Sequence, residues 1–279
     1  MHANKTKAKL KAGEMVFGSE IMFPSADTVE ILAYAGLDFV YMDMEHSATN
    51  HESLAHMIRA CEIGGSTPLV RIPESVPGEY PGVILRILDL GAMGVIVPHV
   101  DTREEAKAVV DAVKYAPLGR RGMFDVGRQT GYGTRMGAQE YVKQANEETL
   151  VVVMIESTEG LANMEEILSV EGVDVVQIGS SDLSSSMGFR GDLAAPEVVD
   201  AIDRILAAAL RHNVAPGVGS FAGFSPERMR HYLQSGAQFV NITTQSLLLA
   251  GSRHWKQRLD EARLGALSDV SVCETNSGA

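Results

Sequence analysis

The chain has 279 residues, 45% of them hydrophobic and 22% charged, with a formal net charge of −12 at pH 7. That length suits one large domain or two small ones. The acidic balance argues against a nucleic-acid partner, which needs a basic face for phosphates, and no apolar run approaches the ~18 residues of a membrane span, so no membrane partner is expected. Lysines at 5, 7, 9 and 11 open the chain without the apolar stretch of a secretory signal, and they predict a short surface helix. Met15–Ile21 follows as a first apolar run, and Ser25 can cap a helix running to Ala35, with Gly36 as its stop. Phe39–Met44 predicts the second strand and His51–Ile63 a helix closed by Gly64 and Gly65. Pro68–Ile72 is a third strand, Pro81–Leu90 a helix, Gly94–Val100 a fourth strand. Thr102–Tyr115 is helical and begins with the capping box Thr102-Arg-Glu-Glu105. Residues 116–137, rich in Gly and Arg, form a long irregular stretch, which in a compact domain is usually functional. Gln139–Glu148 is helical. Val151–Ile155 and Val173–Ile178 are β-branched runs flanking an amphipathic segment. Pro196–His212, Ala215–Gly219, Pro226–Ser235 and Phe239–Thr243 continue as helix, strand, helix and strand. Ser246–Leu264 is a last helix, and residues 266–279 a disordered tail.

Eight strands alternating with helices, with no linker between them, predict a parallel sheet. About 250 residues for eight such units fit a single TIM (β/α)8 barrel over residues 1–265 better than an open sheet. No glycine-rich nucleotide fingerprint sits where a nucleotide-binding sheet needs one. Cys61 lies in an apolar helical pattern and Cys273 in the polar tail. They form neither a metal spacing nor a disulfide framework, which fits a reducing, cytoplasmic setting.

The polar residues fall at the C-terminal ends of the strands, the rim where barrels place their chemistry. Glu45 and His46, Arg71, Glu156 and Asp182 all do so. The crossover from Val151–Ile155 to Val173–Ile178 is right-handed and its strands parallel, so Glu156 and Asp182 share one rim. Two carboxylates with open positions suit a hard divalent cation, Mg²⁺, Mn²⁺ or Co²⁺. Taken alone, each carboxylate could equally be a helix cap, Asp182 above all because it precedes Leu-Ser-Ser-Ser. A 2-oxo acid could offer its ketone and carboxylate oxygens to such a cation. Arg71 could stabilise an enolate oxygen. His46 could move protons, with Asp43 orienting it, and the N–H groups after Gly179 could hold a carboxylate. His99 could line the same cavity or be structural. Arg120, Arg121 and Arg128 read as a solvated loop, and Trp255 as an interface or core anchor.

The segments DFVYMDMEHS, PLVRIP, LDLGAMGVIVPHV, YAPLGRRG, VVVMIES and GVDVVQIGSSDLSSSMG, in this order and spacing, resemble the HpcH/HpaI aldolase family over roughly residues 8–260. The resemblance implies a metal-dependent class II pyruvate aldolase acting on 4-hydroxy-2-oxo acids or 2-keto-3-deoxy sugar acids. It implies His46 as base with Asp43 as its dyad partner, and Arg71 as the enolate-stabilising arginine. Glu156 and Asp182 become the metal ligands, and Gly179, Ser181 and Asp182 the carboxylate-binding stretch. Asp89 would reach a histidine of a neighbouring subunit, in a homohexamer of dimers that swap the C-terminal helix. Three positions depart from the family pattern. Met154 stands where a substrate-contacting Gln is usual and shares the inward side of its strand with Glu156. Gly179-Ser180-Ser181-Asp182 replaces Gly-Pro-Ala-Asp, and Thr243-Thr244-Gln245 replaces Gly-Val-Asp. They leave two alternatives to aldol cleavage: a decarboxylase or hydrolase using the same metal enolate, and a non-catalytic paralogue that binds a 2-oxo acid.

Overall fold

The computed structural model describes residues 2–219 and 221–275. Eight parallel strands close into a barrel in sequence order: β1 (Val16–Ile21), β2 (Phe39–Asp43), β3 (Thr67–Arg71), β4 (Gly94–Val97), β5 (Leu150–Ile155), β6 (Val175–Ile178), β7 (Ala215–Val218) and β8 (Phe239–Thr243), with β8 pairing back to β1. The helices are α1 (Lys5–Lys11), α2 (Ala26–Tyr34), α3 (His51–Gly64), α4 (Tyr80–Asp89), α5 (Arg103–Val113), α6 (Ala138–Glu148), α7 (Thr158–Ala162), α8 (Met164–Leu168), α9 (Ser180–Ser186), α10 (Pro196–Arg211), α11 (Pro226–Gln234) and α12 (Thr244–Thr275). This is the expected TIM barrel.

Alternation along the strands builds two cores. One face of each strand packs on the helices. The other fills the barrel with Val16, Phe39, Tyr41, Leu69, Ile96, Leu150, Val152, Met154, Val175, Ala215 and Phe239. Phe39 and Phe239 stack at 4.2 Å, in space left because Gly18 on β1 has no side chain. The expected caps are present: the Ser25 side chain accepts from the Thr28 N–H, and Thr102 and Glu105 form the capping box of α5.

Four expectations need refinement. The N-terminal helix is a surface element on one face only, with Lys5, Ala8 and Lys11 exposed. Leu10 of α1 joins the barrel core, and Lys7 Nζ donates to the Thr149 carbonyl at 2.9 Å and to Asp174 at 2.8 Å. The helix therefore plugs the barrel mouth opposite the catalytic rim. The segment between β5 and β6 is two short helices, α7 and α8, broken at Asn163, whose side chain donates to the Asp101 carbonyl. The 116–137 stretch is largely exposed, Arg120 included, as expected, but it is pinned at two arginines. Arg121 is buried against Tyr115 and pairs with Asp89 at 2.8 Å, and Arg128 pairs with Glu62. The tail expected from residue 266 begins inside α12, and its last four residues, 276–279, lie outside the described residues. No described helix is long and apolar enough to cross a membrane.

Candidate active site

At the C-terminal ends of the strands a cavity of about 170 Å³ opens, lined by Glu20, Tyr41, His46, Arg71, Met154, Glu156, Gln177, Gly179, Ser180, Ser181 and Asp182 among others. Strand register explains the assembly. Asp43 pairs with Arg71 across β2 and β3, Met154 with Gln177 across β5 and β6, and Glu20 with Tyr41 and Thr243 on either side of β1.

Arg71 is the electrostatic centre. Its Nε donates to Asp43 at 2.8 Å and lies 3.2 Å from Glu45, and its Nη2 donates to Glu20 at 2.9 Å. Burial works against its charge, but these carboxylates outweigh burial and hold the guanidinium's pKa above its usual value. Burial pushes the Glu20 and Glu45 carboxyls up, and Arg71 pulls both back. A planar guanidinium held by several acceptors has little freedom left, so its position is fixed before any ligand arrives.

Glu156 is nearly buried. Its Oε1 accepts from the backbone N–H of His99 at 2.8 Å. His99 reaches that position with φ 51, in the left-handed region, just past the end of β4. Gly179 faces Glu156 so closely that a Cβ there would overlap Oε2 and lie 2.7 Å from the Glu156 Cβ. Burial raises the Glu156 carboxyl, the His99 N–H lowers it, and the neighbouring Asp182 charge raises it again. Asp182 sits in the first turn of α9, whose N-cap is Gly179, so it is not the cap of that helix. Its side chain is exposed toward the cavity mouth, as is that of Ser181.

The predicted residues thus meet at one place, with two exceptions. Asp43 does not pair with the His46 ring. Its Oδ2 accepts from the His46 backbone N–H at 3.0 Å and its Oδ1 from the Glu45 N–H at 3.0 Å, so it fixes the loop that carries the imidazole. The carboxylate beside the half-exposed imidazole is Glu45, 3.7 Å from Nε2. Asp89 does not line the cavity. It ends α4, and Arg121 engages its carboxylate. Glu20, Tyr41 and Gln177, which line the cavity, were missed. Their signal was a polar residue on the inward face of an apolar strand.

Glu156 and Asp182 could serve a hard cation as oxygen donors: two carboxylates at the edge of one cavity, with Glu156 raised by burial first and by the Asp182 charge as well. Among the described residues no group of three or more His, Cys, Asp or Glu side chains could hold a metal, so remaining ligands would come from water or substrate.

Comparison with known proteins places the chain in a family. The sequence profile of the HpcH/HpaI aldolase/citrate lyase family matches residues 21–250. A 2-dehydro-3,6-dideoxy-6-sulfogluconate aldolase from Pseudomonas putida is 36% identical over 240 residues, 86% of this chain and 90% of that protein. A hydroxypyruvate/pyruvate aldolase from Sagittula stellata is 36% identical over 247 residues, 88% and 93% of the two chains. The crystal structure of a family protein from Burkholderia cenocepacia superimposes with a TM-score of 0.83 at 30% identity, over 94% of this chain and 100% of that one. By sequence and by fold, the chain belongs to the HpcH/HpaI aldolase/citrate lyase family.

Proposed function

We propose that this enzyme is a carbon–carbon lyase that cleaves a 4-hydroxy-2-oxo acid or a 2-keto-3-deoxy sugar acid to pyruvate, or a close analogue of it, and an aldehyde. The observation that carries the reading is the convergence of Arg71, His46, Glu156 and Asp182 on one small cavity at the catalytic rim. Glu156 and Asp182 hold a divalent cation, which when bound supplies Lewis-acid polarisation of the substrate ketone. Arg71, fixed by Glu20 and Asp43, offers a charged donor to the enolate oxygen that cleavage develops. The His46 imidazole, exposed at the mouth, takes the proton from the 4-hydroxyl, and Asp43 positions it through the backbone. The first N–H groups of α9 at Ser180, Ser181 and Asp182 have no acceptor within the helix and serve the substrate carboxylate.

We also infer that the enzyme works as an oligomer. From Leu248 to Arg263, α12 is exposed on every side, and Leu248, Trp255 and Leu259 share one stripe of it. A long helix with a bare apolar stripe needs a partner surface.

The test is pyruvate release from a panel of 4-hydroxy-2-oxo and 2-keto-3-deoxy acids with Mg²⁺, Mn²⁺ and Co²⁺, run beside carbon dioxide release from oxaloacetate. Metal-dependent pyruvate release is the expected result. Carbon dioxide without aldehyde cleavage would replace this reading with a decarboxylase.

A further inference from the structure

Beside the N-terminal end of β4, away from the catalytic rim, a second cavity of about 460 Å³ opens between α3, the end of α4 and residues 121–135. It is larger than the cavity at the rim, and its charge is opposite to that of the chain. The chain carries −12, yet Arg59, Arg121, Arg128 and Arg135 line this cavity, and Glu62 is the one carboxylate among the lining residues. The backbone makes room for two of these arginines. Arg128 lies across Gly91, where a Cβ would overlap its Nη1, and the stem of Arg135 lies over Gly131, where a Cβ would stand 2.6 Å from its Cγ. Both glycines have positive φ, 104 and 65, which a residue with a side chain rarely adopts.

Ion pairing accounts for only half of this charge. Glu62 takes both terminal nitrogens of Arg128, and Asp89 engages Arg121 through Nη2. Among the described residues Arg59 and Arg135 have no carboxylate partner, although Arg59 stands three residues before Glu62 on one face of α3. Both side chains belong to exposed residues at the cavity, so a ligand from solvent can reach them.

The geometry narrows the ligand. One guanidinium fork saturates one carboxylate, as Arg128 does Glu62. Two further guanidinium groups, one on α3 and one on the loop, call for a single group with more charge and more acceptors. A phosphate monoester carries about −1.5 to −2 at neutral pH and three strong acceptor oxygens, and arginine forks match it. The cavity lies within the range of about 300–1,000 Å³ that takes small molecules, and Leu88, Met93 and the Tyr132 ring offer apolar walls to an organic body. We propose that this cavity is a binding site for a phosphate group, free or carried by a small metabolite, clamped by Arg59 and Arg135. Its occupation ties α3 to residues 121–135 across the cavity. The inference does not depend on the reaction at the rim.

The test is calorimetric titration of the Mg²⁺-loaded full chain with inorganic phosphate, glycerol 3-phosphate and succinate, for wild type and the double variant Arg59→Gln/Arg135→Gln. Amide hydrogen exchange across residues 121–135 is followed in parallel. Both arginines are exposed, so the double variant should melt as wild type does. Wild type should bind at least one of the two phosphates at submillimolar concentration, with slowed exchange across 121–135. Succinate, which splits its charge between two separated carboxylates, should not bind. The double variant should bind phosphate about 10- to 100-fold more weakly, the loss that removing hydrogen bonds to a charged group implies. Tighter binding of glycerol 3-phosphate marks the source as an organic phosphate, and tighter binding of inorganic phosphate marks it as the free ion; either supports the site. Equal affinity in the two proteins would put the anion elsewhere, as at a rim metal, and would overturn the proposal. So would the absence of binding at millimolar phosphate, or succinate binding as well as phosphate does. Binding is read without turnover, so a chain that released no pyruvate from any aldol would sink the proposed reaction and leave this comparison intact.

Discussion

Gly179→Ala isolates the carboxylate pair from every other feature of the site. The backbone there has φ −80 and ψ 80, which an alanine adopts without strain, so the effect is steric. The new Cβ would overlap Oε2 of Glu156 and lie 2.7 Å from its Cβ and 3.0 Å from its Cδ. The carboxylate cannot stay. Turning it away forfeits the 2.8 Å bond from the His99 N–H, and a hydrogen bond to a charged group contributes about 1.5–3 kcal/mol. Forcing one methyl into a packed site costs about 1–3 kcal/mol if the neighbours do not move. Some of each is relieved by the other, so we expect a net loss of about 2 kcal/mol, or about 4 °C in Tm for a chain of this size. Displacing one of two carboxylate ligands should weaken divalent-cation binding by at least the ~10- to 100-fold that loss of a ligand's supporting partner costs. Mn²⁺ binding followed by electron paramagnetic resonance, beside a thermal melt, measures both. Gly251→Ala in α12, where a Cβ meets nothing within 4 Å, is the control: it should leave Mn²⁺ affinity unchanged and should not lower Tm, since Ala favours a helix interior over Gly by about 1 kcal/mol. Wild-type Mn²⁺ affinity in a folded Gly179→Ala protein would refute the assignment of Glu156 as a ligand.

Arg71→Ala should slow aldol cleavage and solvent exchange of the pyruvate methyl protons alike, by about two to three powers of ten, because both pass through an enolate. His46→Ala should slow cleavage by about two to four powers of ten and spare part of the exchange; proton NMR in deuterated buffer beside a pyruvate assay separates them, and wild-type exchange in Arg71→Ala would remove its enolate role. At the opposite mouth, burial first and the charge of nearby Lys7 second lower the Lys114 ammonium from 10.5 to about 7. Below about pH 7 both folded and unfolded chains hold that proton and burial of the charge costs in full; between pH 7 and 10.5 only the unfolded chain keeps it, so this site makes stability rise with pH, by up to about 1.4 kcal/mol per pH unit. Lys114→Met should remove that rise in urea denaturation at pH 7, 8 and 9; the same slope in both proteins would show that Lys114 does not cause it.

The barrel was legible because its eight strands are short apolar runs bounded by turn residues, and the strongest signals survived nearly residue for residue, as at Phe39–Asp43 and Phe239–Thr243. Boundaries failed where the backbone turns within an apolar stretch. β4 stops at Val97, because Pro98 follows and His99 adopts positive φ, although the apolar pattern continues to Val100. Likewise β6 begins at Val175, since Asp174 is drawn to the Val151 N–H and to Lys7. The burial of α1 could not be read locally. Lysines at alternate positions look solvated, and only the tertiary fold reveals that Lys7 ends on Asp174. In the site, the rim residues were found because strand ends announce them. Glu20 and Gln177 lie one step inside the barrel, where sequence shows only a polar residue interrupting an apolar run. The partners that make such a residue meaningful come from strands far away in the chain, as Glu20 and Arg71 do.

The charges around Arg71 also decide what can enter the site unaided. Glu20, Asp43 and Glu45 surround a single guanidinium, and Glu156 and Asp182 face the same cavity. Burial raises the pKa of the Glu20, Glu45 and Glu156 carboxyls, and one cation faces five acidic side chains. Two like charges about 5 Å apart repel by about 3 kcal/mol at an effective dielectric constant near 20. A substrate carboxylate approaching several of them meets a barrier that one arginine, already engaged by three carboxylates, does not offset. The chain alone should therefore reject 2-oxo acids, and affinity should appear only with a divalent cation present. Calorimetric titration of pyruvate into chelator-treated protein should show no binding at millimolar concentration, and measurable binding after Mg²⁺ or Mn²⁺ is restored. The double variant Glu156→Gln/Asp182→Asn, with two charges removed, should bind pyruvate weakly and to the same extent with or without added metal. If chelator-treated wild type bound pyruvate as tightly as the metal-loaded protein, the electrostatic account of the cavity would be wrong, and Arg71 would have to carry substrate binding despite its carboxylate partners.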